Sequence, residues 1–260
     1  MDLGLSDRVC VVTGASGGIG RALSAQLAAE GARVLMVARR EAELRAAAEE
    51  VGGEWLSADV TDPDAADRIV CCADEQMGGI DVLVNNAGTS FQRAPGELTD
   101  ADWHGQFDLH VMASMRLMRA AAPRMAERGW GRIVNVASSA GKRPSLTNVA
   151  YAVTKAAQLS LSRAWADLYA GDGVLVNAVA PGAVASELWM APGGLADQNA
   201  KAKGISREEA LAEQEAKVPL GRFATPEEIA HVCVFLCSEQ ASTVTGAAWS
   251  ADGGTVAIIV

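Results

Sequence analysis

The chain has 260 residues, and 50% of them are hydrophobic, which is enough to form one sizeable core. It carries 22 basic and 32 acidic residues, a net charge of −10 at pH 7, and it has no basic cluster. This balance argues against nucleic acid or an anionic membrane surface as a partner. No apolar run approaches the ~20 residues of a membrane helix, and the start lacks the basic and apolar segments of a signal peptide. We therefore expect a soluble, cytoplasmic protein without membrane contacts.

The five cysteines fall inside predicted elements: Cys10 in a strand, and residues 71–72, Cys233 and Cys237 in helices. Their number is odd, so buried free thiols are expected in place of disulfides. His231 is the only histidine near the last pair, and the spacing does not match a zinc site. We predict no metal.

A glycine-rich turn, residues 13–20, follows the first predicted strand, and a helix with Ile19, Leu23 and Leu27 on one face comes next. Small residues let the backbone approach a pyrophosphate, and the helix start offers free N–H groups and a positive dipole end. A glycine cluster can also be a plain loop. Its position between a strand and a helix favours a dinucleotide site.

The second predicted strand, residues 34–37, ends at Ala38, Arg39 and Arg40. This is where such folds contact the adenosine ribose of the dinucleotide. An acidic residue would accept hydrogen bonds from the 2′-hydroxyl of NAD, whereas arginine suits the 2′-phosphate of NADP. A solvated arginine pair is the alternative. We expect NADP(H) in preference to NAD(H).

Strand and helix patterns alternate along the chain, which is typical of a parallel sheet with right-handed crossovers. The further predicted strands lie at residues 55–58, 82–84, 133–137, 174–179 and 247–250. Thr99, Ser206 and Thr225 each precede an acidic residue by three positions and are predicted to cap helices. The prediction is an α/β fold: a single Rossmann-type, doubly wound parallel sheet of seven strands with helices on both faces, in one domain over 1–260.

The periodic pattern is lost at about residues 183–219, except for a polar helix that begins after Ser206. A long excursion of this kind in a compact domain is usually a binding loop, so we predict a substrate loop or lid here. Leu188, Trp189 and Met190 at its base are candidate substrate contacts, or ordinary packing of a loop onto the core.

Three residues near the middle of the chain form a candidate acid/base device. Ser138 follows an apolar strand and is expected at the carboxyl end of the sheet. Tyr151 and Lys155 are four residues apart in a predicted helix, so they lie on one face. A free tyrosine titrates near pH ~10, and a nearby ammonium is expected to lower that pKa. Such a pair is often only a surface pair, so the rest of the chain must decide.

The motifs together resemble the short-chain dehydrogenase/reductase family in its compact branch, over essentially the whole chain, and 3-oxoacyl-reductase-like members in particular. The resemblance rests on Thr13-Gly14-x-x-x-Gly18-x-Gly20, Asn85-Asn86-Ala87-Gly88, Ser138, Tyr151-x-x-x-Lys155 and Pro181-Gly182. It implies that Tyr151 is the catalytic acid/base, that Ser138 holds the substrate oxygen, and that Lys155 lowers the tyrosine pKa and binds the nicotinamide ribose.

The motifs and the resemblance also assign a cofactor site. Its expected residues are Gly14, Ser16, Gly17, Gly18, Ile19, Gly20, Arg39, Arg40, Asp59, Val60, Asn86, Ala87, Gly88, Tyr151, Lys155, Pro181, Gly182, Val184 and Ser186.

The chain departs from the family pattern at three positions. His110 stands where the family usually has an asparagine that anchors a water-mediated proton relay, so His110 is a candidate catalytic residue, either as a relay or as a packed side chain. Gly17 replaces an arginine that many NADP-dependent members carry, which weakens the preference for NADP. Ser186 replaces a threonine and keeps the hydroxyl.

The predicted function is interconversion of a ketone and a secondary alcohol by hydride transfer with NADP(H). The substrate is unassigned, and 3-oxoacyl thioesters, steroids and polyketide-like ketones all remain open. One alternative is an epimerase or dehydratase of the nucleotide-sugar branch, which the glycine motif and the chain length disfavour. Another is a non-catalytic cofactor-binding regulator, which the intact catalytic residues disfavour.

The resemblance also implies a homotetramer, or a homodimer, held together by two long helices. The apolar residues proposed for these helix faces are Leu117, Met118, Ala121, Leu159, Leu161 and Ala164. The apolar carboxyl-terminal tail, residues 257–260, is a second candidate contact. A tail packed on its own subunit is the alternative.

Overall fold

The computed structural model describes residues 2–258. A seven-stranded parallel sheet with the order β3-β2-β1-β4-β5-β6-β7 lies at its centre. The strands are β1 Val9–Thr13, β2 Arg33–Ala38, β3 Glu54–Ser57, β4 Val82–Asn85, β5 Gly131–Val136, β6 Val174–Pro181 and β7 Ala248–Ala251. The order reverses beside β1, and this switch point opens a crevice at the carboxyl ends of β1 and β4.

Helices cover both faces of the sheet, as predicted. They are α1 Gly18–Ala29, α2 Glu41–Val51, α3 Ala65–Met77, α4 Asp100–Phe107, α5 Ala113–Glu127, α6 Val149–Tyr169, α7 Glu187–Met190, α8 Leu195–Lys203, α9 Arg207–Glu215 and α10 Pro226–Cys237. A π-helical turn, Asp108–Met112, joins α4 to α5 without a break. Within residues 2–258, no helix is both long and apolar enough to span a membrane.

Two hydrophobic clusters pack on the sheet, one on each face. Leu23 of α1, Leu44 of α2 and Val234 of α10 belong to the first cluster, and Ile69 of α3 and Met118 of α5 belong to the second. The central strands are buried on both sides, which explains their nearly continuous apolar sequences. The core therefore holds the sheet rigidly beneath the crevice.

The three predicted helix starts at Thr99, Ser206 and Thr225 are confirmed. Each side chain accepts a hydrogen bond from the main-chain nitrogen three residues later, and the acidic side chain there bonds back to the cap. Such reciprocal bonds satisfy main-chain donors that have no partner inside the helix.

Segment 183–219 is more ordered than the sequence pattern indicated. It contains α7 and α8 in addition to the predicted helix α9. Helix α8 escaped prediction because its buried face consists of Leu195 and two alanines, Ala196 and Ala200, in an otherwise polar stretch. Its apolar signal is too weak to show a helical period.

The predicted apolar contact face of the long helices was wrong in part. Leu117, Met118 and Ala121 are buried in the core of their own subunit and are unavailable to a second copy. Large apolar side chains that do reach the surface of α4 and α6 are Phe107, Val153 and Leu168, and Ile258 near the chain end is also exposed. Residues 259–260 of the proposed apolar tail lie outside the described residues.

The cysteine prediction held for three residues. Cys10, Cys233 and Cys237 are buried free thiols, and burial raises the pKa of Cys233 to about 12. Cys71 and Cys72 are also free, but Cys71 is exposed and Cys72 only half-buried, contrary to the expectation, because neither belongs to the buried face of α3.

Candidate active site

One continuous cavity of about 760 Å³ lies at the carboxyl ends of the strands. It begins at the glycine-rich turn and reaches Ser138, Tyr151 and Lys155. The predicted cofactor and catalytic residues all line it, with the exception of Gly20 and His110. The fold therefore brings together residues that are separated by more than a hundred positions in the chain.

The glycine-rich turn has the shape that a phosphate cradle requires. Gly14 has a φ of +67° and Gly18 a φ of +51°, a region that favours glycine. A Cβ on Gly14 would come within 2.9 Å of the Ala87 Cα. Helix α1 then begins without a side-chain cap and without an acidic residue in its first turn. Its free N–H groups and positive dipole end suit the pyrophosphate of a dinucleotide.

Gly20 and Asn86 shape this turn from below. A Cβ on Gly20 would clash with the carbonyl oxygen of Gly14, so a side chain there would displace the turn. Asn86 Nδ2 donates to the carbonyl oxygen of Thr13 at 2.9 Å. The Thr13 hydroxyl accepts from the main-chain nitrogens of Asn86 and Ala87 at 3.0 and 3.1 Å. Thr13, which sequence reasoning had treated only as part of a motif, thus fastens the end of β1 to the end of β4.

Basic side chains follow β2, where the sequence predicted contact with the adenosine ribose. Arg40 Nη2 lies 3.5 Å from the Ser16 hydroxyl. Arg39 Nη1 lies 3.5 Å from Asp59 Oδ2. Burial alone would raise the pKa of Asp59, but hydrogen bonds from Thr61 and the charge of Arg39 outweigh it and lower that pKa. Asp59 is therefore ionised and engaged, and Arg40 with Ser16 is the pair best placed to meet a 2′-phosphate.

Glu187, the first residue of α7, is a member of this site that the sequence reasoning missed. Its Oε2 lies 3.1 Å from Arg40 Nη2. Its other carboxylate oxygen would be 2.6 Å from a Cβ on Gly17, so the carboxylate stands directly beside the glycine-rich turn. An acidic residue one position after the predicted cofactor contact Ser186 was the available signal.

Ser138 lies just beyond β5 and lines the cavity together with Tyr151 and Lys155. Its Oγ accepts a hydrogen bond from the main-chain nitrogen of Ala140 at 3.1 Å, which leaves the hydroxyl proton free to be donated. Burial raises the pKa of the Tyr151 phenol, and a hydrogen bond with the Ser138 side chain acts in the opposite direction. Ser138 can therefore stabilise negative charge on Tyr151 or on a substrate oxygen beside it.

Lys155 lies one turn after Tyr151, with its Nζ 5.7 Å from the centre of the tyrosine ring. It is only 3% exposed and donates to the carbonyl oxygen of Val136 at 2.8 Å and to Gln158 Oε1 at 3.0 Å. Burial lowers its own pKa to about 7. Lys155 is therefore not the permanently charged neighbour that the spacing predicted, because desolvation penalises the charged forms of both Lys155 and Tyr151.

His110 lies in the π-helical turn and is fully buried. Its Nε2 accepts from the main-chain nitrogen of Thr89 at 3.3 Å, and its Nδ1 lies 3.0 Å from the Thr154 hydroxyl. That hydroxyl donates to the carbonyl oxygen of Tyr151 at 2.9 Å, so it must accept from Nδ1–H. Burial, and next the charge of Lys155, lower the pKa of His110 well below its usual value. Both ring nitrogens of a neutral imidazole are thus occupied, which favours the packed role over the relay.

Comparison with known proteins agrees with this geometry. The profile of a family described as enoyl-(acyl carrier protein) reductase matches residues 14–256. The crystal structure of L-sorbose reductase from Gluconobacter frateurii, complexed with NADPH and L-sorbose, superimposes with a TM-score of 0.91 at 36% identity and covers 100% of both chains.

Two curated relatives also match along nearly their whole length. Galactitol 2-dehydrogenase of Agrobacterium fabrum is 36% identical over 96% of this chain and 98% of the relative. The 3-oxoacyl-[acyl-carrier-protein] reductase FabG of Thermotoga maritima is 34% identical over 97% of this chain and 99% of the relative. All three similar proteins are named as reductases or dehydrogenases.

Proposed function

This chain belongs to the short-chain dehydrogenase/reductase family, and we propose that it uses NADP(H) to interconvert a ketone and a secondary alcohol, with Tyr151 as the acid/base. One observation carries the proposal. A single cavity joins a glycine-rich phosphate cradle to Ser138, Tyr151 and Lys155. A non-catalytic cofactor-binding protein would not need these three residues in the cavity.

The residues divide the acid/base work among themselves. When bound, the nicotinamide group supplies or accepts the hydride at the substrate carbon. In the reducing direction Tyr151 donates the proton to the substrate oxygen, and Ser138 donates a hydrogen bond where negative charge develops. Lys155 in its charged form favours the phenolate that remains after this transfer. In the oxidising direction the same phenolate takes the proton from the alcohol.

The preference for NADP(H) rests on the residues after β2. Helix α2 begins after Arg40, no acid precedes it at the end of β2, and Ser16 faces Arg40 at 3.5 Å. A guanidinium fork with a hydroxyl beside it suits a phosphate better than a ribose hydroxyl. The NADPH in the L-sorbose reductase structure agrees with this preference.

The cavity wall beyond the glycine-rich turn mixes polar and apolar residues. Ser90, Ser145, Thr147 and Asn148 are among the polar ones, and Leu188 and Trp189 are among the apolar ones. Met190 does not line this cavity, and the Trp189 ring also packs edge-on against Phe223 at 5.2 Å. This mixed wall suits a hydroxylated ketone such as a ketose. We therefore place L-sorbose and related ketoses first among the substrates to be tested, followed by 3-oxoacyl thioesters and steroids.

We further propose that segment 183–219 closes over the substrate and that the protein acts in the cytoplasm as a homotetramer or homodimer. Exposed Phe107 and Val153, which belong to α4 and α6, support a helix-to-helix contact. Exposed Trp249 on the edge strand β7 stacks on Phe235 and supports a second one.

The deciding experiment is a ketone panel with NADPH, followed by the Tyr151→Phe variant. We expect turnover by the natural protein, no measurable turnover by the variant, and an unchanged Kd for NADPH, because the variant lacks only the phenolic hydroxyl group. Tyr169→Phe is the matched control, since Tyr169 is the only other tyrosine and lies at the far end of α6. If Tyr151→Phe keeps more than about a tenth of kcat, a cost of only ~1.4 kcal/mol, Tyr151 is not the acid.

A further inference from the structure

A buried chain of hydrogen bonds runs from Lys155 to the π-helical turn. Lys155 Nζ donates to Gln158 Oε1 at 3.0 Å, and Gln158 Nε2 donates to the Ser114 hydroxyl at 2.9 Å. Ser114 in turn donates to the carbonyl oxygen of His110 at 2.9 Å. Gln158 is 1% exposed and Ser114 4% exposed, so water does not compete for these bonds.

The directions of these bonds fix the orientation of the Gln158 amide. A main-chain carbonyl can only accept, so the Ser114 proton must point to His110. The Ser114 oxygen is then left with lone pairs and accepts from the amide nitrogen of Gln158. The amide oxygen must therefore face Lys155. A reversed amide would turn its NH2 group toward the ammonium, and both of these groups can only donate hydrogen bonds.

We propose that Gln158 is a positioning residue that keeps Lys155 charged and aims it into the cavity. An ammonium has three N–H donors. The Val136 carbonyl and Gln158 accept two of them, which leaves the third N–H for a partner in the cavity that Lys155 and Tyr151 both line. A buried ammonium without such acceptors would lose its proton. The importance of Gln158 for catalysis rests on the proposed function. The hydrogen bonds that hold Lys155 do not depend on it.

The chain of hydrogen bonds from Lys155 to His110 orients Lys155 and does not conduct protons. An amide neither takes up nor releases a proton near neutral pH, so Gln158 interrupts any proton path behind Lys155. The titratable groups facing Lys155 in the described part of the chain are Tyr151 on the same helix and His110 on the π-helical turn. Burial keeps both of them neutral around pH 7. Because Tyr151 and His110 are neutral, Gln158 is the side chain whose replacement should change the protonation of Lys155 most directly.

The test measures the pKa of Lys155 by NMR in cofactor-free protein labelled with ¹³C at lysine Cε. The sequence has only five lysines, and Lys155→Met identifies the relevant signal by its disappearance. In the natural protein the signal should titrate near pH 7, where burial places it. Gln158→Leu removes the acceptor and should lower that pKa by about one unit, whereas Gln158→Glu adds a negative charge and should raise it by about one unit or more.

Gln106→Leu is the matched control, because Gln106 is also a buried glutamine but lies in α4 outside this chain of bonds. It should leave the Lys155 pKa unchanged. An unchanged pKa in both Gln158→Leu and Gln158→Glu would overturn the proposal. If either variant does not fold, Ser114→Ala replaces it. That variant frees the amide to turn away and should lower the Lys155 pKa, and an unchanged value would again overturn the proposal.

The outcomes separate this inference from the proposed function. If Lys155 shifts as expected but no ketone oxidises NADPH, the positioning role stands and the proposed reaction fails. If the reaction is found and the pKa of Lys155 is unchanged in the Gln158 variants, the proposed reaction stands and the positioning role fails. With an active substrate, the two Gln158 variants should also move the alkaline limb of the kcat profile in opposite directions. A purely structural role would lower kcat equally at every pH.

Discussion

Arg40 Nη2 lies 3.1 Å from Glu187 Oε2, so an ion pair joins the end of β2 to the start of α7 in the wall of the cavity. Both side chains are more than half exposed. An exposed pair of this kind contributes between zero and ~1 kcal/mol. A 2′-phosphate carries more negative charge than a carboxylate and binds arginine bidentately, so it should displace Glu187 from Arg40 with little resistance.

Glu187→Gln should tighten NADPH binding by about twofold to fivefold, the range that an exposed ion pair can supply. The variant removes a competitor for Arg40 and a negative charge beside the glycine-rich turn. A fluorescence titration with NADPH at low and high salt measures both effects, because screening should reduce the difference. Glu49→Gln is the control, since that glutamate pairs with Arg45 on α2. Weaker NADPH binding by Glu187→Gln would mean that Glu187 supports the cofactor and does not compete with it.

Arg40→Ala should weaken NADPH binding at least tenfold and leave NADH binding nearly unchanged, because only NADPH carries the 2′-phosphate. A loss of this size matches one charge-assisted hydrogen bond of ~1.5–3 kcal/mol. The ratio of the two Kd values is the measurement. Arg45→Ala, five residues further along, should change neither value. An equal loss for both dinucleotides would instead indicate that Arg40 supports the fold of the site.

Stability should fall in acid because His110 is buried and neutral. Its folded pKa lies well below the unfolded value of 6.5, so the unfolded chain binds a proton first as pH falls. The stabilisation is complete above pH 6.5 and is lost between that value and the lower folded pKa, at up to ~1.4 kcal/mol per pH unit. Denaturant unfolding at pH 7.5 and 5.5 should show this loss in the natural protein.

The loss of stability between pH 7.5 and 5.5 should be smaller in His110→Asn, because the asparagine side chain cannot titrate. His104→Asn provides the control, since His104 is exposed on α4. The same loss of stability in the natural protein and in His110→Asn would assign the effect to other groups.

Much of the fold and of the proposed site was predictable because it depends on local patterns. The parallel sheet follows from apolar strands that alternate with helices, and the three helix starts follow from capping residues whose partners are three positions away. The triad was also accessible, because Tyr151 and Lys155 are one helical turn apart and Ser138 directly follows a strand.

The missed features depend on the tertiary environment. The pKa of Lys155 is lowered by burial, which a four-residue spacing does not reveal. Glu187 forms an ion pair with Arg40, which is 147 positions away in the sequence, and Gln158 forms a hydrogen bond with Ser114, which is 44 positions away. Gln158 had one usable local signal, since it lies three residues after Lys155 on the same helix face. The meaning of that signal emerged only when Ser114 fixed the direction of the amide.

The kinetic role of His110 is the sharpest disagreement between motif and geometry. A relay histidine must exchange a proton at a ring nitrogen, and here Thr89 occupies Nε2 while Thr154 occupies Nδ1. A Cβ on Gly88 would come within 3.2 Å of Nε2, so the loop after β4 packs closely against the imidazole. We expect His110→Asn to keep kcat within about threefold and to leave its pH profile between 5 and 9 in place, because the amide can replace one donor and one acceptor. His110→Ala should lose stability, yet its kcat should fall less than tenfold when measured on folded protein. A fall of tenfold to a thousandfold in His110→Ala with a displaced pH profile, restored by asparagine, is the signature of proton transfer through this side chain and would reverse the packed assignment.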